Sequence, residues 1–285
     1  MLLGAFGTVV AIVAVATILV TRDGGGPDDP QGSATTSSSL VAGDGTGPAG
    51  PIVGPTGVIG SWSGSEWQPR PEGEQPGADL DYAVLGLTGA VSTARGEAVA
   101  EECAAQRATS EADVAVDLDA GDGPPQIAVA GVAEPRPRPV QPFGTDSAIY
   151  LQAAAEVAAG LGATGPATVS QVLRTDLDGS GTEEVVVAAG HVSDPEDLAP
   201  AAGDWSAVFL RRVVGDGVAT DVLASSVAGG GGFDHIQVAT VADLNGDGTM
   251  EVALDGRSST GGWTSVHALD DDGGATEVLR AGCED

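Results

Sequence analysis

From about Gly77 onward, short apolar runs of this chain alternate with Gly and Asp turn signals, the pattern of strands rather than helices. Residues 205–225 read Trp-x-x-Val, an alternating run, a Gly/Asp turn, then Ala-Thr-acid-Val-Leu, and residues 263–281 repeat that order. Both are hairpin patterns. An acidic loop between apolar runs precedes each: "RTDLDGSGTEEVVVAAG" at 174–190 and "VADLNGDGTMEVALDG" at 241–256. Each unit is therefore strand, acidic loop, strand, strand, tight turn, strand, and such four-stranded units predict propeller-like blades. A worn third copy at 113–132 keeps Asp117 and Asp119 before "QIAVAGV", with Gln126 where the others have Glu, and residues 82–96 supply its hairpin. One helix interrupts, over about 146–162. Asp146 is its candidate N-cap, Ile149, Leu151, Ala155, Val157 and Leu161 run along it, and Gly160 and Gly162 stop it. "EPRPRPVQPFG" before it reads as an extended, rigid connector, and 97–108 as a short second helix.

The expected fold class is mainly β, a β-rich α+β chain of two clear units and one degenerate unit (about 82–132, 168–225 and 233–283) plus one helix. An N-terminal transmembrane helix is expected ahead of it. Leu2 to Val20 is an apolar or small run without a charge, roughly 28 Å long as a helix, close to the hydrocarbon thickness. Residues 1–22 are thus a membrane anchor or signal segment. Ala14-Val15-Ala16 would serve as a cleavage site, and Arg22 follows the run with no basic residue before it. The expected location is the cell membrane, single-pass, with the body outside; secretion after cleavage is the alternative. Residues 23–76, crowded with Gly, Pro and Ser, read as a flexible linker, and 77–285 as the extracytoplasmic repeat domain.

Charge narrows the partners. There are 41 Asp and Glu against 11 basic residues, all of them Arg, for a net charge of −30. No basic stripe exists to neutralise phosphates, which argues against nucleic acid and against anionic headgroups. Membrane contact is expected only through the N-terminal helix. The two cysteines, Cys103 and Cys283, flank the repeats, and outside the cytoplasm such a pair is expected to be bridged. The bridge would close a long loop, worth on the order of 4–5 kcal/mol in the chain-entropy model.

The loops carry the chemistry. A hard cation takes six to eight oxygens, and alternate side chains of a tight loop can converge on one point. Asp243, Asn245 and Asp247 stand at positions one, three and five, with Gly246 and Gly248 permitting the bends. The Thr249 carbonyl would add position seven and the Glu251 carboxylate position nine. The other loop offers Asp176, Asp178, Ser180, the Thr182 carbonyl and Glu184 in the same order. An EF-hand is excluded, because its twelfth ligand is Glu before a helix and here Val187 and Leu254 stand there, inside β-type runs. The pattern resembles the calcium loops of FG-GAP and VCBS repeats of the integrin-α type, over 176–184 and 243–251, and more loosely over 117–126. That resemblance implies calcium, Ca2+, in a β-hairpin loop of a propeller-like body, as in secreted or anchored bacterial proteins carrying the repeat.

Other chemistry is weaker. His191, His235 and His267 have no zinc-site spacing and read as surface or half-buried strand residues. Adjacent acids such as Glu183–Glu184 and Glu101–Glu102 face opposite ways on a strand, so they make poor catalytic pairs. Trp205 and Trp263 recur within the repeat and are expected in the core. The function expected is a surface-anchored, calcium-binding β-repeat module, non-catalytic, with a cell-surface protein or polysaccharide as ligand. The alternative is an extracellular hydrolase with structural calcium.

Overall fold

Strand-forming runs dominate the chain, as the alternation requires. The computed structural model describes residues 50–70, 77–88, 91–100, 112–118, 125–229, 232–270 and 273–283. The expected membrane segment lies outside these residues, and so do Cys103, with its expected bridge to Cys283, and Asp119. Among the described residues no helix is long and apolar enough to cross a membrane.

The fold is mainly β, with three antiparallel sheets among the described residues. The first contains β1 (Pro51–Gly54), β2 (Gly57–Trp62), β3 (Trp67–Pro69), β4 (Asp81–Leu85), β5 (Ser92–Ala100), β6 (Ala112–Val116) and β7 (Ile127–Ala130), in the order β3-β2-β1-β7-β4-β5-β6. The second runs β12-β11-β10-β9-β8, from β8 (Gln141–Pro142), β9 (Thr168–Thr175), β10 (Glu184–His191), β11 (Trp205–Val214) and β12 (Gly217–Val227). The third is the meander β13 (His235–Ala242), β14 (Glu251–Arg257), β15 (Gly262–Leu269) and β16 (Ala275–Cys283). Helix α1 (Ala148–Gly160) joins β8 to β9.

The third sheet lies between the other two. One face buries Ala239, Ala253, Val266 and Leu279 against Ile52, Ile59, Leu85 and Ile127 of the first sheet. Its other face buries Val238, Val252, Leu254 and Trp263 against Leu173, Val186, Val208 and Leu210 of the second. Burial on both faces explains why six consecutive residues of β14 are buried rather than alternately so. The outer face of the second sheet is covered by α1, whose Ala153, Ala154, Val157 and Ala158 meet Val187, Trp205 and Phe209. The first sheet covers its own outer face by curling: Val114 and Val116 of β6 pack with Val53, Val58, Tyr82 and Val84. Helix α1 and the curled β6 thus cover part of the outer faces, while Val213 and Val214 of β11 and Val218 and Val222 of β12 stay exposed.

Four expectations change. Residues 51–69, placed in the linker by composition, form β1–β3, with Ile52 and Ile59 fully buried. Their hairpin is locked by Asp113, which accepts from the Val58 N–H at 3.1 Å and pairs with Arg70 at 2.9 Å. The worn unit is therefore four strands of a seven-stranded sheet. Residues 97–100 continue β5 instead of starting a helix. In α1 the N-cap is Ser147 rather than Asp146, and Ile149 and Ala155 are exposed; the buried stripe is three alanines and Val157, small enough to bring the helix close to the sheet.

Candidate metal centre

The two acidic loops are hairpin connections of the same register. Glu184 at the start of β10 faces Thr175, and Glu251 at the start of β14 faces Ala242. Inside each loop the backbone donates to the side chains in one shared pattern. Gly181 N–H reaches Asp176 Oδ2 at 2.9 Å, and Gly248 N–H reaches Asp243 Oδ2 at 2.8 Å. Ser180 N–H donates to Asp178 Oδ1 at 2.8 Å, and Asp247 N–H to Asn245 Oδ1 at 2.9 Å. Thr182 N–H donates to Ser180 Oγ at 3.3 Å, and Thr249 N–H to Asp247 Oδ1 at 2.7 Å. Leu177 N–H donates to Glu184 Oε2 at 2.8 Å, and Leu244 N–H to Glu251 Oε2 at 2.7 Å. Gly181 and Gly248 make the turn possible, at φ +86° and +90°, where a side chain would be strained. The sequence alignment of the two loops, position by position, is thus also an alignment of their hydrogen bonds.

The loops differ in how far their oxygens are already satisfied. In the first, carboxylate oxygens of Asp176, Asp178 and Glu184 lie within 4.8 Å of one another. Asp176 Oδ1 is buried and has no hydrogen-bond partner. A lone buried anionic acceptor is costly unless a cation meets it. The donor set, three carboxylates and a hydroxyl, is all oxygen, which suits a hard divalent cation. These residues could therefore hold a metal ion, without selecting one divalent cation over another. Asp178, Ser180, Thr182 and Glu184 also line a cavity of about 300 Å³, shared with Arg212, Leu269 and Gly273. In the second loop, Asp243 Oδ1 accepts from Gly246 N–H at 2.6 Å, and Asn245 Nδ2 donates to Asp247 Oδ2 at 2.9 Å. There the loop satisfies its own acceptors.

Burial sets the electrostatics. It pushes the Glu184 carboxyl up, against the Leu177 N–H, with the Asp178 and Asp176 charges adding to the rise. Glu251, 1% exposed, is pushed well up by the same cause, with Asp247 and Asp243 adding. Burial also raises Asp243, 3% exposed. At exposed Asp178 burial is the largest single influence and raises the carboxyl, but hydrogen bonds, those from Ser180 foremost, together outweigh it and hold the group below the usual range. Both loops thus hold carboxylates that resist ionising unless positive charge is supplied.

The connector reaches the backbone of both loops. Arg138 donates Nη2 to the Leu177 carbonyl at 2.7 Å and to the Gly248 carbonyl at 2.6 Å, and Nε to the Asp176 carbonyl. One guanidinium therefore touches the backbone of both loops. The Pro135 carbonyl accepts the Asp243 N–H at 2.9 Å. From the sequence alone this segment reads as an extended, rigid connector. The available signal was two arginines set between prolines in a chain with 11 basic residues. A further repeat signal is the leucine at the second loop position, Leu177 and Leu244, both fully buried, with Leu118 in the worn copy.

The remaining sequence candidates scatter. Asp117 and Gln126 share a polar cavity of about 320 Å³ with Thr88, Ser92 and Thr93. His191, His235 and His267 sit on three different strands, β10, β13 and β15, and His267 is buried at 2% exposure rather than half-buried. Glu183 pairs outward with Arg174 at 2.6 Å while its neighbour Glu184 is buried, the opposed facing expected of adjacent strand residues. Trp205 and Trp263 are both buried, with Nε1 donating to the Pro166 carbonyl and to Asp234. Compared with known protein families, curated proteins and solved structures, the chain finds no match.

Proposed function

We propose that this chain is a calcium-stabilised β-repeat module of the FG-GAP/VCBS type, with blade-like sheets, held outside the membrane by residues 1–22 and acting by binding rather than catalysis. One observation carries the reading. Two loops 67 residues apart by the alignment of Asp176 with Asp243 share their hydrogen bonds position by position, and one of them leaves a buried carboxylate oxygen unpartnered beside two further acids. Hairpin stability alone does not call for three carboxylates around one point, since like charges repel. A divalent cation in each loop would cancel that repulsion and pin adjacent strands at their junction.

The residues assigned to the ions are Asp176, Asp178, Ser180, Glu184 and the Thr182 carbonyl in the first loop, and Asp243, Asn245, Asp247, Glu251 and the Thr249 carbonyl in the second. Calcium supplies charge neutralisation and strand cross-linking. The affinity should be on the order of 0.1–1 mM, as in extracellular modules, and magnesium should substitute badly because it demands tighter octahedral geometry. The acidic surface suits a neutral or cationic cell-surface protein or a polysaccharide as ligand. Calorimetric titration of the chelator-stripped protein tests the reading. Two calcium ions taken up per chain support it, and no heat beyond dilution up to 10 mM calcium would refute it.

A further inference from the structure

The two loops are joined through their backbones. Leu177, second residue of the first loop, gives its N–H to Glu184 at 2.8 Å. Its carbonyl accepts from the N–H of Met250 at 2.8 Å and from Arg138 Nη2 at 2.7 Å. Met250 precedes Glu251, whose carboxylate is held by Leu244 N–H at 2.7 Å. Arg138 adds the second link, to the carbonyls of Asp176 in one loop and Gly248 in the other. None of these carbonyls is the position-seven oxygen, from Thr182 or Thr249, assigned to an ion. The guanidinium therefore grips the loop backbones without competing for the metal.

The arginine itself is held. Its neighbours Pro137 and Pro139 have no N–H and fix extended backbone. Two residues earlier, Arg136 donates to Thr240 Oγ1 at 3.2 Å, and Thr240 donates to the Gly86 carbonyl at 2.9 Å. The connector is thus anchored to the first and third sheets before it reaches the loops. A stiff segment so fixed transmits an ordering of one loop to the other instead of yielding.

Resting on the calcium reading above, we infer that Arg138 is a positioning residue shared by both loops, and that it couples them so that calcium in one raises the affinity of the other. The first ion orders Asp176 and Leu177; their carbonyls fix the guanidinium and the Met250 N–H; the second loop then has less ordering left to lose when its ion binds. By linkage the effect is reciprocal.

The test is calcium titration of the full-length chain and two single-loop variants, Asp176→Ala and Asp243→Ala, by calorimetry with chelator-buffered free calcium. In the wild type the second ion should bind about fivefold more tightly than the sum of the two single-loop curves allows, the lower end of ordinary coupling. In an Arg138→Lys background, which keeps the charge but cannot span three carbonyls, the two-loop curve should collapse onto that sum. A role for Arg138 in folding alone would weaken both sites without removing the excess. Two ions that bind as independent sites in the wild type would overturn the coupling while leaving the calcium reading intact. Coupling that persists unchanged in Arg138→Lys would overturn the role given to the arginine. Absence of calcium uptake by the wild type would overturn the calcium reading, and the coupling with it. The wild-type comparison needs no arginine variant, so a poorly folding Arg138→Lys does not remove the test.

Discussion

Met250 donates its backbone N–H to the carbonyl of Leu177 at 2.8 Å, a bond that ties the third sheet to the second at the point where both acidic loops begin or end. Leu177 is fully buried in the core between those sheets and at the same time gives its N–H to Glu184. Packing and site geometry are therefore properties of one residue. Leu177→Ala should cost about 2–5 kcal/mol by cavity formation. Because the loop backbone loses its seat, calcium should bind the first loop more weakly as well. Denaturant melts and calcium titration of the variant check both; a stability loss with unchanged calcium affinity would separate the core from the loop.

Glu251 gives a prediction of opposite sign. Burial first, then the charges of Asp247 and Asp243, raise its carboxyl pKa well above the ordinary 4.5. A raised folded-state value means stability that is fully present below 4.5 and lost as pH rises through the folded value. Without metal, the ionised form is therefore a burden at neutral pH. Glu251→Gln removes the charge and keeps an acceptor for the Leu244 N–H. In chelator at pH 7 the variant should melt a few degrees above wild type, and it should lose the second loop's share of calcium stabilisation. A variant less stable than wild type in chelator would contradict this account of the site.

His267 sets a separate pH window. Burial, with the Arg280 charge adding, depresses its pKa to about 4, and Ser265 Oγ lies 3.1 Å from its Nε2. A depressed value means the neutral ring is favoured in the fold. Stability from this group is complete above the unfolded value of 6.5 and is lost as pH falls toward about 4. The full window is worth about 3 kcal/mol. His267→Gln should flatten the slope between those limits, measured as the difference from wild type in denaturant melts at each pH. Parallel slopes would show that the ring is protonated without penalty.

Topology can be tested on cells. With residues 1–22 in the membrane and the body outside, protease added to intact cells should release the acidic body by cutting between residues 23 and 49, ahead of the β1 hairpin. The buried Ile52 and Val53 place 51–69 inside the protected fold, so the cut should not fall there. Full protection while the membrane stays sealed would reverse the orientation.

The loops were legible in the sequence because their chemistry is local: alternate oxygens and two glycines fix a turn whatever surrounds it. The strands of the second and third sheets were legible for the same reason, through alternation and tight turns. What surrounds the loops was not. Asp255, Thr264, Ser265 and His267 look like outward positions, yet all are at most 2% exposed, because the third sheet is covered on both faces. A polar residue on a doubly covered strand has no signature in periodicity. The β1–β2 hairpin was hidden by its Gly and Pro content, although Ile52, Val53, Val58 and Ile59 frame its turn symmetrically. Arg138 was illegible because its partners are backbone carbonyls of loops 38 to 110 residues away, and no side-chain pattern records them.

The central claim is that calcium holds these loops together, and thermal melting of the chelator-stripped protein tests it most directly. With calcium at tenfold over the dissociation constant, each occupied loop should add about 1.4 kcal/mol. The melting temperature should rise with calcium concentration, rise little with magnesium, and rise by less in Asp243→Ala, which keeps one loop. Melting curves of the wild type that coincide in calcium and in chelator would contradict the claim and leave both loops as acidic turns.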